Sequence, residues 1–218
     1  MKILRCILLC ALFICAGTML RAQDERVHPF MNAVSGQIDM EEAYLLSVDY
    51  IMEDVMNETS FAGEAKIWMK GKAYRMEVEE YIIYYDGEKL WSQNTDLEEV
   101  YLSIPEPGDA TYFQSVPISV IKSYQQDFRY LYKGTRPFMG SECAEIQLSP
   151  KDLGGPYSML MVYIHPKTMK LMGFLLKHKE GINYTLHITE MQGNQDLDAE
   201  DFRFHQEDYP DTELIELI

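Results

Sequence analysis

Cysteine is scarce in this sequence. Only four cysteines occur among 218 residues, and three of them, Cys6, Cys10 and Cys15, lie close to the N-terminus. Beyond that segment Cys143 stands alone, and a single thiol cannot form an internal disulfide. Its alternating neighbourhood, SECAEIQLSP, favours a small buried hydrophobic side chain. A disulfide framework is therefore excluded for the body of the chain.

Basic side chains are also few. Lysine and arginine number 19 against 35 aspartate and glutamate residues, which gives a formal net charge of −16. A surface this negative repels phosphate backbones and anionic lipid head groups, so nucleic acid is excluded as a partner. The same negative surface favours binding to basic patches on other proteins. The alternative is a charge that serves solubility alone and needs no partner.

Signatures of catalysis are missing. The sequence has no Gly-x-Ser-x-Gly elbow, no glycine-rich phosphate loop, no His-Glu-x-x-His and, beyond the first 22 residues, no Cys-x-x-Cys. Substrate turnover needs a nucleophile, a base and an orienting group at a usable spacing, and no such set recurs. We therefore predict no catalytic residues and no cofactor, and we expect that the protein is not an enzyme.

The five histidines are scattered, and they do not predict a metal site. His178 and His187 fall on adjacent predicted strands. A turn at residues 180–181 would place His178 opposite Asn183. The same turn would place His187 opposite Phe174, so the two imidazoles are not expected to form a metal pair, and no metal is predicted.

Residues 1–22 have the layout of a secretory signal peptide. Lys2 and Arg5 provide a charged start, an uninterrupted apolar run follows over residues 7–14, and cleavage is predicted near Ala22. Two alternatives remain open: an anchor helix that is retained, and a lipid attached to Cys15. Removal of the segment leaves 16 basic against 35 acidic side chains, a formal charge of −19.

The remaining residues, 23–218, are predicted to form one mostly β domain. From Tyr44 the apolar residues alternate with a period of two, which is typical of a strand with one apolar face. A hairpin follows around Gly71-Lys72, and a second one turns at Asp86-Gly87, where Asp-Gly predicts a type I′ turn. Later strand patterns bring the total to about ten to eleven antiparallel strands.

Two helices are predicted beside these strands. One covers His28 to Gln37, and the other begins at a Ser115 cap, has Pro117 in its first turn and ends near Gln125. A sheet with one apolar face must curl and cover that face, and two helices are too few to cover both faces. The predicted fold is therefore α+β and mostly β: a half-open antiparallel barrel with helices over its mouth.

Methionine and tyrosine are abundant. Twelve methionines lie beyond the predicted signal peptide, and the chain has 15 tyrosines. Methionine repacks around irregular apolar shapes, and tyrosine combines an apolar ring with a polar tip, which suits a cavity for a greasy ligand. An ordinary core that uses these residues is the alternative.

Four segments in order resemble one known family. Gly63 to Met76 resembles the strand pair of its Gly-x-Leu-Trp-Val-Lys motif, and Asp86 to Trp91 resembles its Asp-Gly-Lys-Thr-Leu-Trp hairpin. Pro117 to Ile121 resembles its lid helix, and Asp201 to Pro210 resembles its closing Phe-x-Phe-x-Pro motif. The chain is similar to the LolA-like outer-membrane lipoprotein carriers, most of all to the shorter, acidic proteins of the Bacteroidetes type.

The resemblance implies a periplasmic, monomeric carrier with an N-terminal helix and a lid helix over a hydrophobic cavity. The cavity would shelter acyl chains of lipoproteins or other lipids on their way to the outer membrane. An inner-membrane releasing complex and an outer-membrane acceptor would be its protein partners. The lipid-binding residues that it implies are Tyr44, Val48, Met52, Tyr74, Met76, Val78, Ile121, Met172 and Phe174.

The sequence departs from the family pattern at two places, and both bear on whether the protein acts as a carrier. Many carriers have an arginine after the Trp-Val-Lys stretch that latches the lid, whereas Lys70 is followed here by Gly71. The sequence also ends at Ile218 without the C-terminal extension of some carriers. A regulatory module that senses lipids or lipoproteins with the same half-barrel is the alternative function.

Overall fold

The computed structural model describes residues 23–105 and 117–217. The predicted signal peptide and the predicted Ser115 cap lie outside these residues. The helices are α1 (His28–Gln37) and α2 (Pro117–Asp127). The strands are β1 (Ala43–Asp54), β2 (Thr59–Lys70), β3 (Ala73–Val78), β4 (Tyr81–Tyr85), β5 (Leu90–Asn94), β6 (Glu99–Ser103), β7 (Phe128–Phe138), β8 (Ser141–Pro150), β9 (Tyr157–Ile164), β10 (Leu171–His178), β11 (Ile182–Gln192) and β12 (Glu213–Glu216).

All twelve strands belong to one sheet. Their order is β12-β6-β5-β4-β3-β2-β1-β11-β10-β9-β8-β7, so within the described residues the sheet runs from β12 to β7 and stays open. Consecutive strands pair antiparallel within β1–β6 and within β7–β11, and β1 pairs with β11 to join the two halves. The predicted mostly β fold with an open sheet and two helices is confirmed.

The strand count was predicted too low, and one pairing differs. The twelfth strand, β12, pairs parallel with β6, as Glu213↔Glu99 and Leu214↔Val100 show. A parallel neighbour requires a long return of the chain, and residues 193–212 provide it. The predicted antiparallel pairing is therefore found for the other strand pairs of the described sheet, whereas the β12–β6 pair at this edge is parallel.

One face of the sheet is covered by the helices. The alternation in β1 buries Tyr44, Leu46 and Val48 on this face, where they form one core with side chains from the other strands. Helix α1 contributes Met31 and Val34, and α2 contributes Val120, Ile121 and Tyr124 at helical spacing. We call this the inner face.

The opposite face carries two smaller apolar clusters. The strap cluster holds Tyr84, Trp91, Val100, Leu102 and Phe204. It joins the segment after β11 to β4, β5 and β6, and Arg203 Nε donates to Asp86 Oδ2 at 3.1 Å beside it. The outer cluster lies on β7, β8 and β9 and holds Phe138, Cys143, Met161 and Tyr163. Cys143 is fully buried there, as predicted.

The predicted hairpin at Asp86-Gly87 forms, but its turn is not type I′. Strand β4 ends at Tyr85 and β5 begins at Leu90, so the loop has four residues. Gly87 has a φ of 101°, whereas Asp86 is not among the residues with positive φ. The Asp86 carboxylate instead accepts the backbone N–H of Lys89 at 2.9 Å, which stabilises the longer loop.

In the parts of the chain that the structure describes, neither helix is long and apolar enough to cross a bilayer.

Candidate ligand cavity

A cavity of about 220 Å³ opens on the inner face of the sheet. Within residues 23–105 and 117–217, its wall comes from strands, in the neighbouring series β4, β3, β2, β1, β11 and β10. Each of these described lining residues is apolar or a tyrosine. The lining residues are Val48, Tyr50, Ala65, Ile67, Met76, Val78, Tyr81, Ile83, Leu176, Tyr184 and Leu186.

Cross-strand register explains why these side chains meet. Val48 pairs with Ala65, Ala65 with Val78, and Val78 with Tyr81. Residues directly opposite on neighbouring strands point to the same face, so this row crosses four strands as one strip of the wall. Ala65 is the small member of the strip, and its short side chain leaves space above β2.

Tyr50 shapes one end of the cavity. Gly63 lies opposite it on β2, and a Cβ atom at Gly63 would lie 2.8 Å from the Tyr50 hydroxyl. Only glycine therefore lets the ring lie across β2. The hydroxyl reaches Glu79 in the β3–β4 turn and donates to its Oε1 at 2.8 Å. Burial and this carboxylate raise the pKa of Tyr50 to about 12, so the phenol stays protonated.

The cavity meets solvent at the end formed by three tyrosines, Tyr50, Tyr81 and Tyr184, which we call the mouth. Tyr81 is 39% exposed, and it directly follows the β3–β4 turn. The turns β1–β2 and β10–β11 lie at the same end of the sheet, because Asp54 pairs with Ile182. Polar tips at the mouth and apolar walls behind it suit an elongated apolar ligand with a polar end.

The helices occupy the neighbouring part of the inner face. Lys122 of α2 donates from Nζ to the backbone oxygen of Ser35 at 2.6 Å, and also to that of Ile38. These carbonyls lie at the end of α1, where a cation compensates unpaired acceptors and the helix dipole. The missing arginine latch therefore has a counterpart that joins α2 to α1.

A second polar contact joins the same helices at His28. Its Nδ1 lies 2.9 Å from the hydroxyl of Tyr124, and that hydroxyl donates to Asn32 Oδ1 at 2.9 Å. The other ring nitrogen, Nε2, lies 3.3 Å from the Tyr130 hydroxyl on β7. Helix α2 is thus held to α1, and α1 to the sheet edge at β7, by directional bonds in addition to apolar packing.

The structure divides the predicted lipid-binding residues into groups. Val48, Met76 and Val78 line the cavity. Four others, Tyr44, Tyr74, Ile121 and Phe174, lie in the packed inner core beside it and are almost completely buried. Met52 is half-buried near the end of β1, opposite Tyr184. Their role in binding lipid stays a prediction.

Met172 lies on the other face of the sheet, which corrects its predicted cavity side. It packs against the outer cluster of Phe138, Cys143, Met161 and Tyr163. The pairing of β10 with β9 shifts between Leu171 and Gly173, and a one-residue shift sends a side chain to the opposite face. Phe174, beyond the bulge, keeps its inward position.

Several lining residues were not among the predicted ones: Tyr50, Ala65, Ile67, Tyr81, Ile83, Leu176, Tyr184 and Leu186. The signal for Tyr50 was present, because it falls between Val48 and Met52 in the same alternating strand. Ala65 and Ile67 alternate likewise on β2. The contributions of β10 and β11 depend on the pairing of distant strands, which the local pattern does not reveal.

A second cavity of about 490 Å³ lies where α2 ends and β7 begins. Buried Phe128, Tyr157 and Leu160 contribute apolar walls, and the β8–β9 loop contributes polar ones. Leu160 pairs directly with Leu176 of the first cavity. This fully buried leucine pair separates the two spaces.

Titratable groups in the described ranges form no group of three that could hold a metal ion. The predicted register of β10 against β11 is off by one residue. Asn183 lies opposite Lys177 rather than His178, and His187 lies opposite Gly173 rather than Phe174. His187 Nδ1 lies 3.4 Å from Asp49 Oδ2. Burial raises the pKa of the Cys143 thiol, which suits a structural side chain rather than a nucleophile.

Comparison with known proteins agrees with the resemblance. Residues 61–205 match the family model described as outer membrane lipoprotein carrier protein LolA. An uncharacterized conserved protein from Thermus thermophilus superposes with a TM-score of 0.53 at 8% identity, over 88% of this chain and 99% of that one. No curated protein matches the sequence.

Two further solved structures have lower TM-scores. A LolA superfamily protein from Nitrosomonas europaea gives 0.44 at 10% identity, over 82% of this chain and 97% of that one. A putative outer membrane lipoprotein-sorting protein domain from Vibrio parahaemolyticus gives 0.44 at 10% identity, over 80% of this chain and 95% of that one. At these identities the similarity concerns the fold alone.

Proposed function

Because this chain belongs to the LolA family of outer membrane lipoprotein carrier proteins, we propose that it binds acyl chains of lipoproteins or other lipids in the inner-face cavity. The observation that carries the proposal is the wall of that cavity, which consists of apolar side chains and tyrosines. We propose further that residues 1–22 are removed on secretion and that residues 23–218 act as one domain in the periplasm. Carriage from the inner membrane to an outer-membrane acceptor completes the proposal.

The energetics favour binding, and they make release the harder step. Each buried methylene contributes roughly 0.8 kcal/mol, so an acyl chain of about a dozen buried methylenes gains about 10 kcal/mol before any cost. The cavity of about 220 Å³ is smaller than the roughly 300–1,000 Å³ of ordinary ligand sites. A long chain therefore has to displace inner-core side chains and move α2. That work offsets part of the gain and leaves the cargo transferable.

Lipid analysis of the purified protein tests the binding. We expect acyl-bearing lipids or lipopeptides to copurify and a fluorescent acyl probe to compete with them. Absence of both would overturn the proposal. To test carriage, we would follow outer-membrane lipoproteins in a strain that lacks the protein. Lipoproteins should accumulate at the inner membrane, whereas unchanged sorting beside intact acyl binding would favour a sensing role.

A further inference from the structure

Two adjacent glutamates stand at the mouth of the cavity. Glu79 accepts the hydrogen bond of the cavity-lining Tyr50, and the charge of Glu80 contributes to the raised pKa of the same tyrosine, after burial and Glu79. The turn is held in place, because Thr95 donates to the backbone oxygen of Glu80 from its N–H at 2.9 Å and from its hydroxyl at 3.0 Å. Negative charge is thus fixed where the polar end of a ligand would lie.

The other charges at this end of the sheet do not cancel it. Glu58 and Glu180 are exposed in the neighbouring turns. Lys179 donates to the backbone oxygen of Leu153 in the β8–β9 loop. Lys151, which lines the second cavity, donates to backbone oxygens at the end of α2.

On the opposite face, Lys66 lines a groove together with Glu64, Glu77 and Glu79. Asp49 lines it as well, so the groove has one cation among four carboxylates and is acidic. The field at the mouth is therefore set by the Glu79-Glu80 turn.

The hydrogen-bonding capacity of the Tyr50–Glu79 pair is also one-sided. A carboxylate only accepts hydrogen bonds, and the Tyr50 hydroxyl already uses its single proton on Glu79, which leaves its oxygen free to accept. Together the Glu79 carboxylate and the Tyr50 oxygen present acceptors to a head group. A head group with N–H donors or a positive charge fits this arrangement, whereas a carboxylate or phosphate finds repulsion and no donor from this pair.

We propose that the Glu79-Glu80 turn makes the cavity selective for acyl ligands whose head group is uncharged or cationic, and that it rejects fatty acids and anionic phospholipids. The inference rests on the proposed acyl binding and specifies its substrate class. An amide-linked acyl chain on a peptide belongs to the accepted class. In water, a charged head group about 4 Å from a glutamate carboxylate changes the binding free energy by about 1 kcal/mol, which is roughly fivefold in affinity.

The test compares three probes that share one alkyl chain and differ in the head group: laurate, lauramide and dodecylammonium. Each displaces a neutral fluorescent acyl probe from the secreted form of the protein at pH 8 and low salt. We expect laurate to bind at least about fivefold more weakly than lauramide, and dodecylammonium to bind as well as lauramide or better. Added salt should narrow these differences.

The variant Glu79→Gln with Glu80→Gln removes both charges and keeps the side-chain shape. The difference between laurate and lauramide should fall below about twofold there. The matched control, Glu88→Gln with Glu142→Gln, removes two exposed charges at the opposite end of the sheet and should keep the wild-type difference. Circular dichroism confirms that each variant is folded.

The outcomes separate the two proposals. Equal binding of all three probes by the wild type overturns the head-group selectivity and leaves acyl binding standing. A selectivity that survives in the Glu79→Gln, Glu80→Gln variant likewise overturns the role of the turn. Binding of none of the probes overturns the proposed function together with this inference.

Discussion

The Nζ of Lys122 lies 2.6 Å from the backbone oxygen of Ser35, so the ammonium of one helix closes the carboxyl end of the other. The same ammonium reaches the oxygen of Ile38. Carriers that use an arginine latch place it after the Trp-Val-Lys stretch, and Gly71 follows Lys70 here. In this protein Lys122 joins the two inner-face helices to each other, and its position in α2 differs from that of the arginine in the motif.

Lys122→Met should loosen α2. Methionine keeps the apolar part of the side chain and removes the ammonium, so two carbonyls of α1 lose their partner. We expect the dissociation rate of a bound acyl probe to rise several-fold, measured by stopped-flow fluorescence, while the melting temperature changes little. Lys133→Met, at an exposed position on β7, serves as the control. An unchanged dissociation rate would show that the contact does not restrain the helix.

Filling one cavity at a time should identify the one that binds. Ala65→Phe places a ring in the cavity of about 220 Å³ and should weaken acyl binding at least about tenfold. Gly155→Phe places a ring at the second cavity, where a Cβ meets nothing within 4 Å, and should leave affinity nearly unchanged. Titration with a fluorescent acyl probe measures both. The reverse pattern would assign acyl binding to the second cavity.

Asp24 should contribute to stability in a pH-dependent way. The side chain of Arg26, with its Nη2 at 2.7 Å from Oδ2, lowers the pKa of Asp24 to about 2, whereas an unfolded aspartate titrates near 4. A depressed folded pKa stabilises above pH 4, and the contribution disappears as pH falls towards 2. The melting temperature of Asp24→Asn should lie below that of the wild type at pH 7 and match it near pH 2. A constant difference across this range would refute the linkage.

Processing should yield a protein that begins near Gln23 or Asp24. The charged start, the short apolar run and the acidic remainder predict cleavage, and intact-mass measurement of the periplasmic fraction decides it. Protein in the membrane fraction that retains residues 1–20, or carries an acyl mass on Cys15, would contradict this prediction.

Period-two alternation predicted the inner face of β1 correctly, because burial of one face leaves no other choice for Tyr44 and Val48. It failed at Met172, since a bulge changes which face a residue occupies without changing the composition of the strand. The turn at Asp86 differed for a comparable reason. The Asp86 carboxylate accepts the backbone N–H of Lys89 in a four-residue loop. The Asp-Gly pair alone does not predict this hydrogen bond.

Features that depend on distant segments were not predictable from local pattern. Strand β12 is four residues long, and its partner β6 lies more than a hundred residues earlier in the chain. The second half of the cavity wall comes from β10 and β11, which reach β1 only through the pairing of Val48 with Ile188 and its neighbours. Such contacts follow from the order of the strands in the whole sheet.

The strap cluster has a mechanical consequence for the cavity. Phe204 packs against Tyr84 from behind the sheet, with ring centroids 6.3 Å apart, and Arg203 fastens the same segment to Asp86. The β4–β5 side of the cavity wall is thus supported from outside the sheet. If the proposed acyl ligand enlarges the cavity, we expect the enlargement to displace the two helices on the inner face rather than these strands, so that longer acyl chains move α2 further.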